Sequence, residues 1–154
     1  MIYAVIDTNV FVAALLTKSN DSATVKVYDA IADGLITPLY HKDILEEYAE
    51  VLSRPKFKFS KERINAVLDM IVKYGVEVFP KPTGEILIDM DDLIFYEVAM
   101  EKRDDDSYLV TGNQKHQGRC NGQTKYGDSA DPLYERLSVY IKHLEQVGFI
   151  KRMT

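Results

Sequence analysis

The first sixteen residues, MIYAVIDTNVFVAALL, constrain the fold more than any other stretch of this chain. Ile2 to Ile6 is a short run of apolar, strand-favouring residues, which predicts a strand buried on both faces. The run ends at Asp7-Thr8-Asn9, and an apolar helical pattern begins at Val10. A strand that ends in a carboxylate before a helix places that carboxylate at the C-terminal edge of a sheet, where open α/β proteins bind ligands. From position alone, helix capping by Asp7 or Asn9 is an equally good interpretation.

Helical and strand patterns alternate along the rest of the chain. The apolar spacing predicts helices over residues 23–32, 43–52, 61–74 and 93–102, with Ser22 and Ser60 as N-caps of the first and third of these. Short strands are predicted over residues 35–38, 76–79 and 108–111. Gly34 and Gly75 are expected to end helices. Strands joined by helices favour a parallel pairing, so we predict an α/β fold with a mainly parallel sheet.

The composition is that of an ordinary globular domain. The 154 residues predict one domain over 1–154, with 46% hydrophobic and 28% charged residues. The single Cys120 excludes an internal disulfide framework and fits a reducing cytoplasm. No apolar run approaches the length of a membrane span, so no membrane partner is expected. A net charge of −5 argues weakly against nucleic-acid binding, because proteins that bind nucleic acid usually have an excess of basic residues. A metal-dependent nuclease, however, carries clustered carboxylates whose charge the bound cation offsets, so the net charge decides little.

Acidic residues at three places in the chain could meet at one edge of the sheet. Asp7 ends the first strand, Glu47 lies in the middle of a helix among apolar neighbours, and Asp92 opens the helix before the last predicted strand. Grouped carboxylates repel unless a cation neutralises them, and oxygen ligands suit Mg²⁺ or Mn²⁺. The alternatives are an exposed helix charge for Glu47 and turn or cap chemistry for the acidic group at 89–92. The run Asp104 to Asp106 is best explained as a solvated charge run.

Basic residues flank these candidate ligands. The groups are Lys56, Lys58, Lys61 and Arg63 after the Glu47 helix, and Lys115, His116, Arg119 and Lys125 after the last strand. Phe57 and Phe59 alternate with the first group and could stack on bases. The favoured alternative is a solvated turn whose Phe residues belong to the core.

Four segments, taken together, resemble the PIN domain family, in particular the branch identified as toxin components of toxin–antitoxin systems. They are VIDTNVFV at 5–12, ILEEYAEVLSRPKF at 44–57, DMDDLIFYEVA at 89–99 and YLVTGN at 108–113. The segments cover residues 1 to about 116 in the family's order. The resemblance implies a three-layer α/β/α fold. It also implies a nuclease that requires Mg²⁺ or Mn²⁺ and cleaves single-stranded RNA, with an antitoxin partner and a homodimer.

The resemblance also implies roles for individual residues. Asp7, Glu47 and Asp92 match the catalytic, metal-binding acids, and Asn9 matches a polar residue that positions the first of them. The supporting residues are Asn9, Thr111, Asn113, Asp89 and Asp91. The expected RNA-binding residues are Lys56, Lys58, Lys115, His116 and Arg119. Asn113 stands where the family usually has Asp, which weakens the case for a second metal unless Asp89 or Asp91 compensates.

The chain departs from the family pattern after His116. Residues 117–131 are polar and Gly-rich, and residues 132–147 then predict an amphipathic helix appended to the core. A reading-frame shift after His116 is a rival explanation, because the bases encoding residues 127–130 can read Val-Thr-Pro-Arg in another frame. Resequencing of the gene decides between the two.

These observations leave three functions open. The first is a metal-dependent ribonuclease. The second is a PIN-like module of weak or lost activity that binds an antitoxin or RNA, which Asn113 and the altered tail favour. The third is a phosphatase with an aspartyl nucleophile at Asp7, although Asn9 stands where that chemistry usually has a second acid.

Overall fold

A computed structural model describes residues 2–19, 22–82, 84, 93–105, 107–110 and 150–152 of the chain. The strands of this part are β1 (Ile2–Ile6), β2 (Ile36–Tyr40), β3 (Val76–Glu77), β4 (Tyr108–Val110) and β5 (Ile150–Arg152). The α-helices are α1 (Thr8–Leu16), α2 (Ala23–Ala32), α3 (Lys42–Leu52), α4 (Lys61–Tyr74) and α5 (Leu93–Glu101). Short 3₁₀ helices cover Pro55–Phe57 and Arg103–Asp105.

The strands form one sheet in the order β3-β2-β1-β4-β5. The pairs β1–β2, β1–β4 and β2–β3 are parallel, and β5 joins the edge at β4 in an antiparallel direction. The chain moves from β1 through β2 to β3, and α5 then returns it to β4 on the other side of β1. The gap between β1 and β4 is therefore the topological switch point, the place where parallel α/β sheets form their ligand crevice.

The core follows from the sequence pattern of β1. Ala4, Val5 and Ile6 have no exposed surface, as expected for a central parallel strand covered on both faces. Helix α2 packs against both α1 and α4, whereas α5 packs against α3 and against β1, β2 and β4. Because crossovers between parallel strands are right-handed, the reversal of direction at α5 places helices on both faces of the sheet, which gives the three-layer α/β/α architecture.

Helix boundaries are set by caps. The Ser22 and Ser60 hydroxyls each accept a bond of 3.2 Å, from the Val25 and Arg63 backbone N–H respectively. Gly34 follows α2 with φ 75°, the left-handed conformation that favours glycine. Gly75 has an extended backbone, and its role is steric. A Cβ there would lie 2.6 Å from the Pro38 carbonyl oxygen and closer still to the Ile71 carbonyl oxygen.

Most predicted elements are confirmed, with differences at their ends. Helix α1 begins at Thr8, two residues earlier than the apolar pattern indicates, because Asp7 occupies the N-cap. Strand β2 extends to Tyr40 and β3 ends at Glu77, so the ranges 35–38 and 76–79 were wrong at these ends. Strand β5 was not predicted, since three residues carry no periodicity and only pairing with β4 defines it. The helix predicted at 132–147 lies outside the described residues.

Candidate active site

Asp7 lies at the C-terminal end of β1, at the switch point. Its backbone N–H donates to the Val110 carbonyl of β4 (2.8 Å), and its carbonyl accepts from the Val10 N–H (3.0 Å). Asp7 occupies the N-cap position of α1 in an extended conformation, but its side chain makes no capping hydrogen bond. The capping interpretation is thus correct for the position and wrong for the carboxylate. The backbone contacts hold the residue, and its half-buried side chain is not used as a cap.

Glu47 approaches the same strand end from α3. The Thr8 hydroxyl, next to Asp7 in sequence, donates to a Glu47 carboxylate oxygen at 2.5 Å. The other glutamates of α3 behave differently: Glu46 pairs with Lys42 at 4.0 Å and Glu50 with Arg54 at 3.1 Å, both on the exposed side. The exposed-charge interpretation therefore fits Glu46 and Glu50 and is wrong for Glu47, which is half-buried.

The residue that follows Glu47 fixes α3 to β1. Tyr48 is 1% exposed, and its hydroxyl donates to the Ile6 carbonyl. Its ring packs edge-on against Phe11 (centroids 5.1 Å apart) and at a tilt against Phe95 (6.0 Å), which joins α1, α3 and α5. Because Ile6 immediately precedes Asp7, this bond fixes the backbone from which Asp7 projects.

Both acids influence the buried hydroxyl of Tyr48. Burial raises the pKa of the Tyr48 hydroxyl well above its usual value, and the negative charges of Asp7 and Glu47 raise it further. The hydrogen bond to Ile6 acts in the opposite direction. One buried hydroxyl thus lies within the field of both carboxylates.

Sequence reasoning did not identify Thr8 and Tyr48 as parts of this site. Thr8 is 4% exposed, and a buried hydroxyl that follows a carboxylate at a strand end is a usable signal. Tyr48 counted only as an apolar residue of the helix. A tyrosine differs from phenylalanine in having a hydroxyl that requires a partner when buried, and that requirement was the missed signal.

Other predicted site residues are placed as follows. Asn9 is exposed at the second position of α1, and its positioning role stays a prediction. Lys56 and Lys58 are exposed on the turn between α3 and α4, and Phe57 and Phe59 are half-buried against the core. The remaining predicted residues lie outside the described residues: Asp89, Asp91, Asp92, Thr111, Asn113, Lys115, His116 and Arg119.

Two of the three predicted metal ligands are among the described residues. Within them, no group of three or more His, Cys, Asp or Glu side chains could hold a metal ion. Asp7 and Glu47 contribute two carboxylates, and Asp92, the third predicted ligand, is not among the described residues. Carboxylate oxygens are the donors that Mg²⁺ and Mn²⁺ prefer, so the chemistry of this pair fits the predicted ion.

The fold and site together define a three-layer α/β/α protein with carboxylates gathered at the switch point of a parallel sheet. Residues 3–115 match the PIN domain family, and the chain belongs to that family. Proteins of this family are generally nucleases that act on nucleic acid and typically use divalent metal ions. A search of curated proteins found no match. In the described part of the chain, no helix has the length and apolar character needed to cross a bilayer.

Proposed function

We propose that this protein is a divalent-metal-dependent endoribonuclease that hydrolyses phosphodiester bonds of single-stranded RNA. Family membership supports the nuclease chemistry. The observation that carries the proposal is the Thr8–Glu47 hydrogen bond, which brings a carboxylate of α3 to the strand end occupied by Asp7. Two carboxylates drawn together repel each other, and a divalent cation would remove that cost.

The proposed roles divide the residues into three groups. Asp7, Glu47 and Asp92 hold Mg²⁺ or Mn²⁺. These residues would hold the cation where it could activate water for attack and offset negative charge on the phosphoryl group. Asn9 orients Asp7, with Thr111, Asn113, Asp89 and Asp91 in support. Lys56, Lys58, Lys115, His116 and Arg119 contact the RNA.

The resemblance to toxin components extends the proposal to a biological role. The protein would be a cytoplasmic toxin held inactive by an antitoxin protein, and would form a homodimer. Expression of the chain alone should then arrest growth, and Asp7→Asn should relieve the arrest. Growth arrest that persists in Asp7→Asn would contradict a toxic nuclease activity.

The chain offers a matched pair of variants for the test. Glu46 and Glu47 are neighbours on α3, yet the first pairs with Lys42 on the exposed side and the second contacts Thr8. Mn²⁺ is titrated calorimetrically into the wild type, Asp7→Asn, Glu47→Gln and Glu46→Gln. The same proteins are then assayed for cleavage of a labelled single-stranded RNA with Mg²⁺ or Mn²⁺, and with EDTA.

We expect Asp7→Asn and Glu47→Gln to lose cleavage and most Mn²⁺ affinity while keeping the fold, and Glu46→Gln to resemble the wild type. EDTA should stop the wild-type reaction. Cleavage at the wild-type rate in both variants would refute the mechanism. RNA or protein binding without metal affinity or cleavage would instead favour the second function, a PIN-like binding module.

A further inference from the structure

The connection between α3 and α4 has a charge opposite to that of the whole chain. Residues 54–63, here called the basic corner, contain five basic side chains and one acidic side chain, Glu62. The basic side chains are Arg54, Lys56, Lys58, Lys61 and Arg63. The whole chain has a net charge of −5, so this ten-residue segment at net +4 is a local concentration of positive charge. Such a concentration attracts polyanions.

Two aromatic rings organise the basic corner. Phe57 and Phe59 stack nearly parallel, with centroids 5.5 Å apart and planes inclined by 14°. The Lys56 ammonium lies 5.0 Å from the Phe57 ring centre, and the Arg63 guanidinium lies 5.3 Å from that of Phe59. The rings are stacked on each other and carry cations, so they hold the cations in place and are poorly disposed to stack on bases. The suggestion of base stacking from the sequence is therefore not supported.

The turn itself is also fixed. Lys58 has φ 56°, a left-handed conformation that is uncommon for a residue with a side chain. Arg63 donates to the Leu15 carbonyl at 2.8 Å, which ties the first turn of α4 to the end of α1. A fixed backbone lets several cations bind one polyanion with little loss of freedom.

Three cations of the basic corner have no acidic partner in the described part of the chain. Arg54 is paired with Glu50, but no described carboxylate lies within 4.0 Å of the side-chain nitrogens of Lys56, Lys58 or Lys61. All three side chains are exposed. Their charge is therefore accessible to an external ligand.

The basic corner lies beside the candidate active site without overlapping it. Leu15, the contact of Arg63, is seven residues beyond Thr8 in α1, which is about 10 Å at the helical rise of ~1.5 Å per residue. A short strand of nucleic acid can span a separation of that order.

From this geometry we infer that Lys56, Lys58 and Lys61 bind backbone phosphates of the single-stranded RNA outside the cleavage point. The inference rests on the proposed ribonuclease function for the identity of the strand. The contacts are to phosphates, so the basic corner supplies affinity and steering and does not select sequence.

The test measures how the affinity of the protein for RNA depends on salt concentration. EDTA is present so that the RNA is bound but not cleaved. The probe is a fluorescein-labelled oligouridylate of about fifteen nucleotides, which is long enough to contact several lysines at once. It is titrated with the wild type and with the double variant Lys58→Gln and Lys61→Gln, at salt concentrations from about 50 to 200 mM. The control carries Lys73→Gln and Lys102→Gln, an equal charge change outside the basic corner. Lys73 lies over the Tyr74 ring at the end of α4, and Lys102 lies over the Tyr3 ring of β1. Circular dichroism confirms that all three proteins are folded. Oligodeoxythymidylate of equal length is the second probe.

Removing one phosphate interaction with a single strand reduces the salt slope by about 0.7, so the double variant should have a slope smaller by about 1.4. Raising salt from about 50 to 200 mM should therefore weaken wild-type binding about 7-fold more than it weakens the double variant. The control should keep the wild-type slope. Comparable slope changes with the DNA probe would support recognition of phosphates.

An unchanged slope in the double variant, an equal change in the control, or no wild-type binding would overturn the inference. Because binding is measured without cleavage, the two proposals fail separately. Absence of the slope difference with RNA cleavage intact refutes the basic corner alone. An intact slope difference with no cleavage under any metal refutes the catalytic proposal alone.

Discussion

The hydroxyl of Tyr48 tests the idea that one buried hydrogen bond fixes the strand end beneath the site. The substitution Tyr48→Phe removes the donor to the Ile6 carbonyl and leaves the ring contacts with Phe11 and Phe95 in place. The ring volume is kept, so no cavity forms. The whole effect should therefore come from the missing hydrogen bond.

The magnitude follows from burial. Ile6 has no exposed surface and Tyr48 is 1% exposed, so water cannot replace the missing donor. A buried carbonyl deprived of a partner costs about 1–3 kcal/mol. We expect Tyr48→Phe to lower the free energy of unfolding at pH 7 by that amount, which is a large share of the stability of a single domain.

The same pair of proteins gives a pH signature. The pKa of Tyr48 is raised in the folded protein, so above about pH 10 the unfolded chain loses the tyrosine proton while the folded protein keeps it. The contribution of the Tyr48 hydroxyl to the free energy of unfolding is therefore fully present below about pH 10. It is lost as the pH rises, at ~1.4 kcal/mol per pH unit. The stability difference between wild type and Tyr48→Phe should therefore shrink between about pH 10 and 11.

The assay is urea unfolding followed by circular dichroism, in EDTA so that metal binding does not contribute. The control is Tyr28→Phe, since Tyr28 also packs edge-on against Phe11, at 6.4 Å, but is only half-buried. That control should change stability by less than about 0.5 kcal/mol. A Tyr48→Phe protein as stable as the wild type, or a Tyr28→Phe protein equally destabilised, would refute the reasoning.

Three further predictions concern backbone packing, ligand positioning and capping. Gly75→Ala should lower the free energy of unfolding by about 3 kcal/mol, because the new Cβ overlaps two backbone carbonyl oxygens. Gly34→Ala should lower it by only about 1 kcal/mol, through the left-handed backbone at that position, and equal losses in urea unfolding would contradict this. Thr8→Val should weaken Mn²⁺ binding about 10- to 100-fold, because the Glu47 carboxylate loses the hydroxyl that holds it, whereas Thr8→Ser should bind Mn²⁺ like the wild type. Equal affinities of the wild type and Thr8→Val in calorimetry would show that Thr8 does not position Glu47. Ser22→Ala should lose about 1 kcal/mol of stability, measured the same way, and no loss would mean that this cap contributes nothing.

The sequence predicted correctly those elements whose ends are set by residues within or next to the element itself. The boundaries of α2 were predicted from Ser22 at the start and Gly34 after the end, and both residues act through nearest-neighbour geometry. The position of Asp7 followed similarly from an apolar strand that stops at a carboxylate. The extent of β2 was not predictable in this way, because its pairing with β1 and β3 carries the strand past Pro38 to Tyr40.

The sequence by itself determined the α/β class, the order of most elements and the position of Asp7 at the end of a buried strand, since these depend on short-range periodicity. Glu47 was a candidate from its apolar neighbours and from the family resemblance, but only the tertiary structure decided that Glu47, and not Glu46 or Glu50, contacts Thr8. The physical reason is that α3 can bury only one side, the one that faces β1 and α1. The Thr8 and Tyr48 contacts, formed across about forty residues, place Glu47 on that side. Long-range contacts of this kind leave no local pattern, so the contact between Glu47 and Thr8 could be established only from the folded chain.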